Sequence, residues 1–282
     1  MVTIYVTSAF SKEGKGGNKA GVVLHRPDLS SAQMLMIAKE LGYSETAFVV
    51  DSQVADFKLR YFTPTEEVDL CGHATIATFA TLRLLNKLGK EKYTIETKAG
   101  ILTIRIKEDG LIFMEQNCPT YFDVLKPDMV KGCMEEHVIS REFPIQIIST
   151  GLKDVMLPIT SQEEIMAMTP DFKAITDLSR ELDVVGIHAF ALTDSSDITA
   201  VCRNFAPLYG INEESATGTS NCALASYLFK YYEKKSEYIF EQGHVLGEIS
   251  RIVVYIDYHE DMIDAVYVGG YGYLVEEKKL AL

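Results

Sequence analysis

One ordered pattern occurs twice in this chain, and it constrains the fold more than any other feature. Arg60, Phe62 and Pro64 are matched by Arg203, Phe205 and Pro207 at an offset of 143 residues. The second copy then gains a short insertion, and Glu67, Cys71 and Gly72 are matched by Glu213, Thr217 and Gly218 at an offset of 146. In each copy the glycine leads into an apolar run, "IATFATLRLLNKLG" in the first and "SNCALASYLFKYY" in the second. Five identities and one Cys/Thr exchange, in order and in the same context, read as an internal duplication. Two similar domains follow, with a boundary near residue 118, where the periodic pattern weakens and Pro119 and Pro127 interrupt it.

Within each domain the signals are mixed. "TIYVTSAF", "AGVVL", "ETAFVV" and "DFKLRYFT" are β-branched or alternating and predict strands, as do "PIQIIST", "VMLPI", "IHAFALT" and "ITAVCRNFA" in the second half. Ser30 or Ser31 can cap a helix that ends at Leu41 before Gly42, and Ser161 can cap a helix over "QEEIMAM". The two apolar runs predict helices, the first closed by Gly89; a helix apolar nearly all round is enclosed by other elements. The class is α+β.

Composition removes several functions. The 282 residues carry 27 basic and 40 acidic side chains, a net charge of −13 that repels phosphate backbones, and no basic stripe offsets it. Nucleic acid is not an expected partner. No apolar stretch approaches the ~20 residues of a membrane span. Five cysteines without Cys-x-x-Cys spacing, in a chain large enough to fold without disulfides, point to the cytoplasm. Gly14, Gly16 and Gly17 lie in one loop, but neither a Walker lysine nor Rossmann spacing accompanies them, so no nucleotide or nicotinamide cofactor is expected.

The repeated pattern itself points to a site. A strand runs into a glycine-led helix start, whose free N–H groups and positive dipole end attract an anion. If the two halves pack about a pseudo-twofold axis, two such helix starts could hold a small carboxylate in the cleft between domains without a metal. Cys71 and His73 provide only two metal donors, with no third or fourth at suitable spacing, so no metal site is expected. Cys71 reads either as a thiol activated by a helix N-terminus or as a small residue that packs tightly.

"GNKAGVV", "SETAFV", "RYFTPTEEVDLCGHAT", "STGLKDVMLP", "RNFAPLYGINEESATG", "EQG" and "VGG" resemble the PhzF family of phenazine-biosynthesis-like isomerases. The resemblance implies the diaminopimelate epimerase-like fold: two pseudo-twofold-related domains, each a curved, mostly antiparallel sheet wrapped around a central helix. The domains would be 1–118 and 119–271, with 272–282 returning to the first. Epimerase relatives place a cysteine in each glycine-led loop; here the second is Thr217, which disfavours two-thiol racemisation. The resemblance assigns proton transfer to Glu45, supported by His73 and Glu214, and substrate binding to Cys71, Gly72, Gly218 and Thr219. Glu214 would orient an ammonium group or polarise His73. The family usually has Asp at Glu214, often Ser at Thr219, and Arg near Glu248, so the substrate here is open. The implied activity is cofactor-independent movement of a proton within a small cyclic amino or hydroxy acid of the dihydro-hydroxyanthranilate type, by a homodimer. The alternatives are an amino-acid epimerase or racemase and a non-catalytic protein that binds small carboxylates.

Overall fold

The computed structural model describes residues 1–24 and 29–281. The chain divides into two compact units, Met1–Glu115 with Gly269–Leu282, and Gln116–Val268.

The elements of the first are β1 (Val2–Ser11), β2 (Asn18–Leu24), α1 (Ser31–Leu41), β3 (Thr46–Val50), β4 (Phe57–Phe62), β5 (Glu67–Val68), α2 (Gly72–Leu84), β6 (Lys92–Thr97), β7 (Gly100–Ile106) and β8 (Ile112–Gln116). Consecutive strands pair antiparallel except β2–β3 and β4–β6, which pair parallel across the connections that hold α1 and α2. Ser30 closes a capping box with Gln33 at the start of α1, and Gly42 ends that helix with φ 70°. Helix α2 is buried from His73 to Phe79 and packs on β1, β2 and β3. Its threonines survive burial because Thr75, Thr78 and Thr81 each donate to the carbonyl four residues back. The helix stops at Leu84, short of the expected Gly89, because Asn86 adopts the left-handed turn with φ 52°.

The second unit runs through β9 (Thr120–Leu125), β10 (Ile145–Ser149), β11 (Lys153–Pro158), α3 (Gln162–Ala167), α4 (Phe172–Leu182), β12 (Gly186–Leu192), β13 (Ala200–Ala206), β14 (Ile211–Glu214), α5 (Gly218–Tyr231), β15 (Glu237–Gln242) and β16 (Ser250–His259). The last strand, β17 (Met262–Leu280), pairs antiparallel with β1 through Tyr271–Leu280. Helix α5 is buried from Ser220 to Phe229 and packs on β10, β11 and β16. Among the described residues no helix is long and apolar enough to cross a membrane.

The pairing sequence of the first unit recurs in the second. Antiparallel β10–β11, parallel β11–β12, antiparallel β12–β13, parallel β13–β15 and antiparallel β15–β16 repeat β1–β2, β2–β3, β3–β4, β4–β6 and β6–β7. The repeated side chains make repeated contacts. Arg60 grips Glu67 with two hydrogen bonds of 2.8 and 2.9 Å, and Arg203 grips Glu213 with two of 2.9 and 2.8 Å. Each guanidinium also lies over the phenylalanine two residues on, at 5.1 Å for Phe62 and 5.0 Å for Phe205. The fold is α+β, built on a duplicated unit.

The ladders also show where the copies differ. Thr46 lies opposite Phe62 and Ile187 opposite Phe205, while Gly21 pairs with Thr46 and Val155 with Ile187. By that register Ala20, Ala47 and Tyr61 correspond to Asp154, His188 and Asn204. Ala74 and Ser220 correspond in the helices. The second unit thus buries a polar chain where the first has three alanines and a tyrosine. Ser220 donates to Asp154 at 2.6 Å, and the Asn204 amide reaches Ser220 at 3.3 Å and His188 Nδ1 at 3.1 Å. Burial pushes the Asp154 carboxyl up to about 7 against the opposing pull of Ser220, and draws the His188 imidazole down to about 3.

Two stability predictions follow from these contacts. The folded Asp154 holds its proton more tightly than the unfolded one, whose carboxyl titrates near 3.8, so its contribution is fully present at low pH and fades as pH rises towards 7. Urea unfolding at pH 5 and pH 8 checks this: Asp154→Asn should remove a pH-dependent loss of a few kcal/mol seen in the wild type. The second concerns the paired clamps. Arg203 and Glu213 are 5 % and 7 % exposed and Arg60 and Glu67 are 22 % and 16 % exposed, so Glu213→Gln should destabilise by about 3–5 kcal/mol and Glu67→Gln by clearly less. Equal losses would show that the burial difference is immaterial.

Candidate active site

Glu45 sits between the end of α1 and the start of β3, and its carbonyl accepts from the Gly21 amide at 3.2 Å. This backbone bond fixes where the side chain leaves the sheet. The carboxylate is 19 % exposed, yet Oε2 is buried and accepts no hydrogen bond. Nε2 of buried His73 lies 3.2 Å away, without the alignment of a hydrogen bond. The Ser44 hydroxyl lies 3.5 Å from the same nitrogen. Nδ1 of His73 is 3.4 Å from Cys71 Sγ.

Cys71 occupies the N-cap of α2 in an extended conformation, and its side chain does not cap the helix N–H groups. Gly72 follows with ordinary φ, and a Cβ there would meet nothing within 4 Å. Neither crowding nor backbone strain therefore requires this glycine, and its absent side chain leaves an approach to the helix start. The donor atoms of Glu45, Cys71 and His73 all lie within 4.8 Å of one another. The sequence reading counted two metal donors here; the fold brings a third from a separate segment.

In the second unit Glu214 ends β14, and Thr217 at the N-cap of α5 donates to its Oε2 at 2.9 Å. Buried Gln242, which the sequence reading left out of the site, organises this loop. Its amide donates to the Glu214 carbonyl at 2.7 Å and to Thr217 Oγ1 at 3.1 Å. Its carbonyl accepts from the Thr217 amide at 3.3 Å and from Asn221 Nδ2 at 2.9 Å. The "EQG" motif was the available signal, but a glutamine far along the chain shows no role until β15 lies beside β13. Gly218 opens α5 with ordinary φ. Thr219 follows; its carbonyl accepts from Thr150 at 2.9 Å and its hydroxyl lies 3.3 Å from Gln116 Oε1. Glu248 is half-buried in the turn after Gln242, where its N–H donates to Gly243 O at 3.1 Å.

The site residues thus form two groups, Glu45–Cys71–Gly72–His73 in one unit and Glu214–Thr217–Gly218–Thr219–Gln242 in the other, each at a glycine-led helix start. The family description "Phenazine biosynthesis-like protein" matches residues 7–278. The chain belongs to this family. A relative from Clostridium acetobutylicum, named an uncharacterized isomerase, is 34 % identical over 87 % of this chain and 89 % of its own length. The trans-2,3-dihydro-3-hydroxyanthranilate isomerase of Pseudomonas aeruginosa is 28 % identical over 95 % of both chains. Among solved structures, a PhzF-family phenazine biosynthesis protein of Bacillus anthracis superposes with a TM-score of 0.91 at 31 % identity, covering 100 % of this chain and 99 % of the other. A hydroxyproline epimerase of Agrobacterium vitis shares the fold alone, with a TM-score of 0.62 at 10 % identity, covering 99 % of this chain and 90 % of the other. Phenazine biosynthesis-like membership accounts for the duplicated architecture, and relatives in this family are named isomerases.

Proposed function

We propose that this chain is a cofactor-independent isomerase that moves a proton within a small cyclic amino or hydroxy acid, with Glu45 as its single acid–base group. The observation that carries this reading is the unequal content of the two repeats. By ladder register the counterpart of Glu45 is Gly186, where a Cβ would lie 1.8 Å from the Phe205 carbonyl oxygen. No side chain fits there. The counterpart of Cys71 is Thr217, whose hydroxyl already donates its proton to Glu214. A racemase that protonates one carbon from both faces needs two titratable groups, and these second-repeat positions supply neither. This asymmetry favours one base that removes a proton and returns it elsewhere on the same substrate.

In the proposed reaction the Glu45 carboxylate takes a proton from carbon, and the resulting carboxylic acid delivers it to a second carbon as the double bonds shift. No net proton is gained or lost. The Glu45 Oε2 oxygen, buried and without a hydrogen bond, has a lone pair open to a proton from a bound substrate. His73, 3.2 Å away, is placed to bond the group as it gains and loses its proton. In the first unit the backbone donors at the start of α2, at Gly72, are suited to a substrate carboxylate; in the second, the start of α5 at Gly218 and Thr219 offers backbone donors of the same kind. Glu214, fixed by Thr217 and the loop that Gln242 holds, is suited to a substrate ammonium group. The name of the Pseudomonas aeruginosa relative supports a dihydro-hydroxyanthranilate-type substrate. All five cysteines are free, which suits a reducing cytoplasm, and a homodimer is the expected assembly.

Proton NMR in deuterium oxide with trans-2,3-dihydro-3-hydroxyanthranilate tests the proposal. Wild type should yield deuterium-containing product, and Glu45→Gln should turn over about 10²–10⁴-fold more slowly while still binding ligand. Retained turnover in the variant would reject Glu45 as the base. Absence of both conversion and exchange in the wild type would remove this substrate and favour a carboxylate-binding protein. Exhaustive treatment with a chelator should leave the turnover rate unchanged; a loss restored by added metal would overturn cofactor independence.

A further inference from the structure

We propose that Gln242 and Thr217 are positioning residues that hold the Glu214 carboxylate in place for a substrate ammonium group, so that this protein selects cyclic amino acids over the matching hydroxy acids. The inference rests on the reading of Glu214 as the ammonium partner, and it names the residues that keep it in that role.

The first observation is the direction of the hydrogen bonds. A side-chain amide donates only from nitrogen and accepts only at oxygen. Gln242 is fully buried and spends all of this capacity on one loop and the helix behind it. Nε2 donates to the Glu214 carbonyl at 2.7 Å and to Thr217 Oγ1 at 3.1 Å. Oε1 accepts from the Thr217 amide at 3.3 Å and from Asn221 Nδ2 at 2.9 Å. The orientation of the amide is fixed by its backbone partners, because a carbonyl can only accept and an N–H can only donate. Thr217 Oγ1 therefore receives a hydrogen, and its own proton goes to Glu214 Oε2, 2.9 Å away. The chain runs one way, from amide to hydroxyl to carboxylate. The half-buried carboxylate at its end carries a charge that an ammonium group complements and a neutral hydroxyl does not.

The second observation is what differs between the repeats. By ladder register Glu214, opposite Asn204, corresponds to Val68, opposite Tyr61. Ala200 pairs with Phe240 where Phe57 pairs with Ile95, so Gln242 corresponds to Thr97. The N-cap counterpart of Thr217 is Cys71. Thr97 bonds within its own hairpin, donating to the Gly100 carbonyl at 2.9 Å and accepting from the Ala99 amide at 3.2 Å. The acid, the hydroxyl and the amide thus change together, while the arginine–glutamate clamp is kept.

The helix start itself does not require them. Thr75 donates to the Cys71 carbonyl at 2.7 Å, and Asn221 donates to the Thr217 carbonyl at 2.9 Å. Each N-cap carbonyl is held from inside its own helix, in the first unit without a glutamine or an N-cap hydroxyl. What Gln242 and Thr217 add in the second unit is a fixed acid.

Calorimetric titration of the whole chain with trans-2-aminocyclohexanecarboxylate and trans-2-hydroxycyclohexanecarboxylate tests the proposal. The two differ only in the group offered to Glu214, and neither has the ring double bonds of the proposed reaction, so turnover does not enter. Wild type should bind the amino acid about tenfold or more tightly, the worth of one charge-assisted hydrogen bond. Thr217→Val, which keeps the shape and removes the hydroxyl, should cut that ratio about fivefold, as should Gln242→Leu, while Thr217→Ser should keep it. A residue that only supports the fold would weaken both ligands together and leave the ratio unchanged. An unchanged ratio in Thr217→Val, or one lost in Thr217→Ser, would overturn the proposal even if Gln242→Leu does not fold. An unchanged ratio in folded Gln242→Leu would also overturn it. No preference in the wild type, or one that survives in Glu214→Gln, would reject Glu214 as the ammonium partner and the proposal with it. Failure of the underlying reading thus shows in the wild type or Glu214→Gln, and failure of the positioning role alone shows only at Thr217 and Gln242.

Discussion

The first N–H groups of an α-helix have no partners within the helix, and this protein sets two buried helices behind just such ends. Neither N-cap side chain, Cys71 or Thr217, bonds back to its helix. The loops that lead into these ends must therefore be held by something else. Each is anchored by an arginine from the preceding strand, which grips a glutamate four residues before the N-cap with two parallel hydrogen bonds. The second anchor is reinforced by Arg203 bonds to the carbonyls of Ile165 and Met168. Arg60 reaches Ser31 at the start of α1 instead. The clamp is thus also the joint between the helix start and the outer helices of its own unit.

Duplication preserved the clamp and let the surroundings diverge. The first unit has small residues at Ala20, Ala47 and Ala74 and carries its titratable groups at buried Cys71 and His73 and half-buried Glu45, around the helix start. The second filled the equivalent interior with Asp154, His188 and Ser220 and put glycine opposite the Glu45 position. Burial keeps His188 neutral and holds the Asp154 proton to near-neutral pH. That interior chain adds polar order beneath Thr219 without adding an exposed base.

Much of this was legible in the sequence, and the reasons are local. A serine at 30 or 31 and Gly42 bracket α1 by capping chemistry alone, with Ser30 and its Gln33 partner singled out by the structure, and the alternating "DFKLRYFT" can hardly be anything but a strand. The repeated Arg, Phe, Pro, Glu and Gly marked the duplication, while the arginine–glutamate clamp they form shows only in the structure. What escaped depends on contacts between distant segments. Strand β9 escaped because Thr120, Phe122, Asp123 and Val124 are exposed, so no period-two burial pattern marks it. Helix α4 is amphipathic and capped by Asp171, but its short pattern lies between stronger strand signals. Gln242 shows its four bonds only after β15 comes to lie beside β13. The third metal donor was invisible for the same reason, since Glu45 is far in sequence from Cys71 and His73.

The exchange of Cys71 for Thr217 explains why the acids near the two helix starts differ in chemistry. A hydroxyl is a good hydrogen-bond donor, and Thr217 donates to Glu214 Oε2 at 2.9 Å, which occupies one lone pair of that carboxylate. A thiol is a poor donor, so a cysteine at the equivalent place does not quench a neighbouring carboxylate in that way. Glu45 Oε2 remains buried without a hydrogen bond, 3.2 Å from His73 Nε2. The carboxylate proposed as the base thus has a buried oxygen that its own fold leaves without a hydrogen bond.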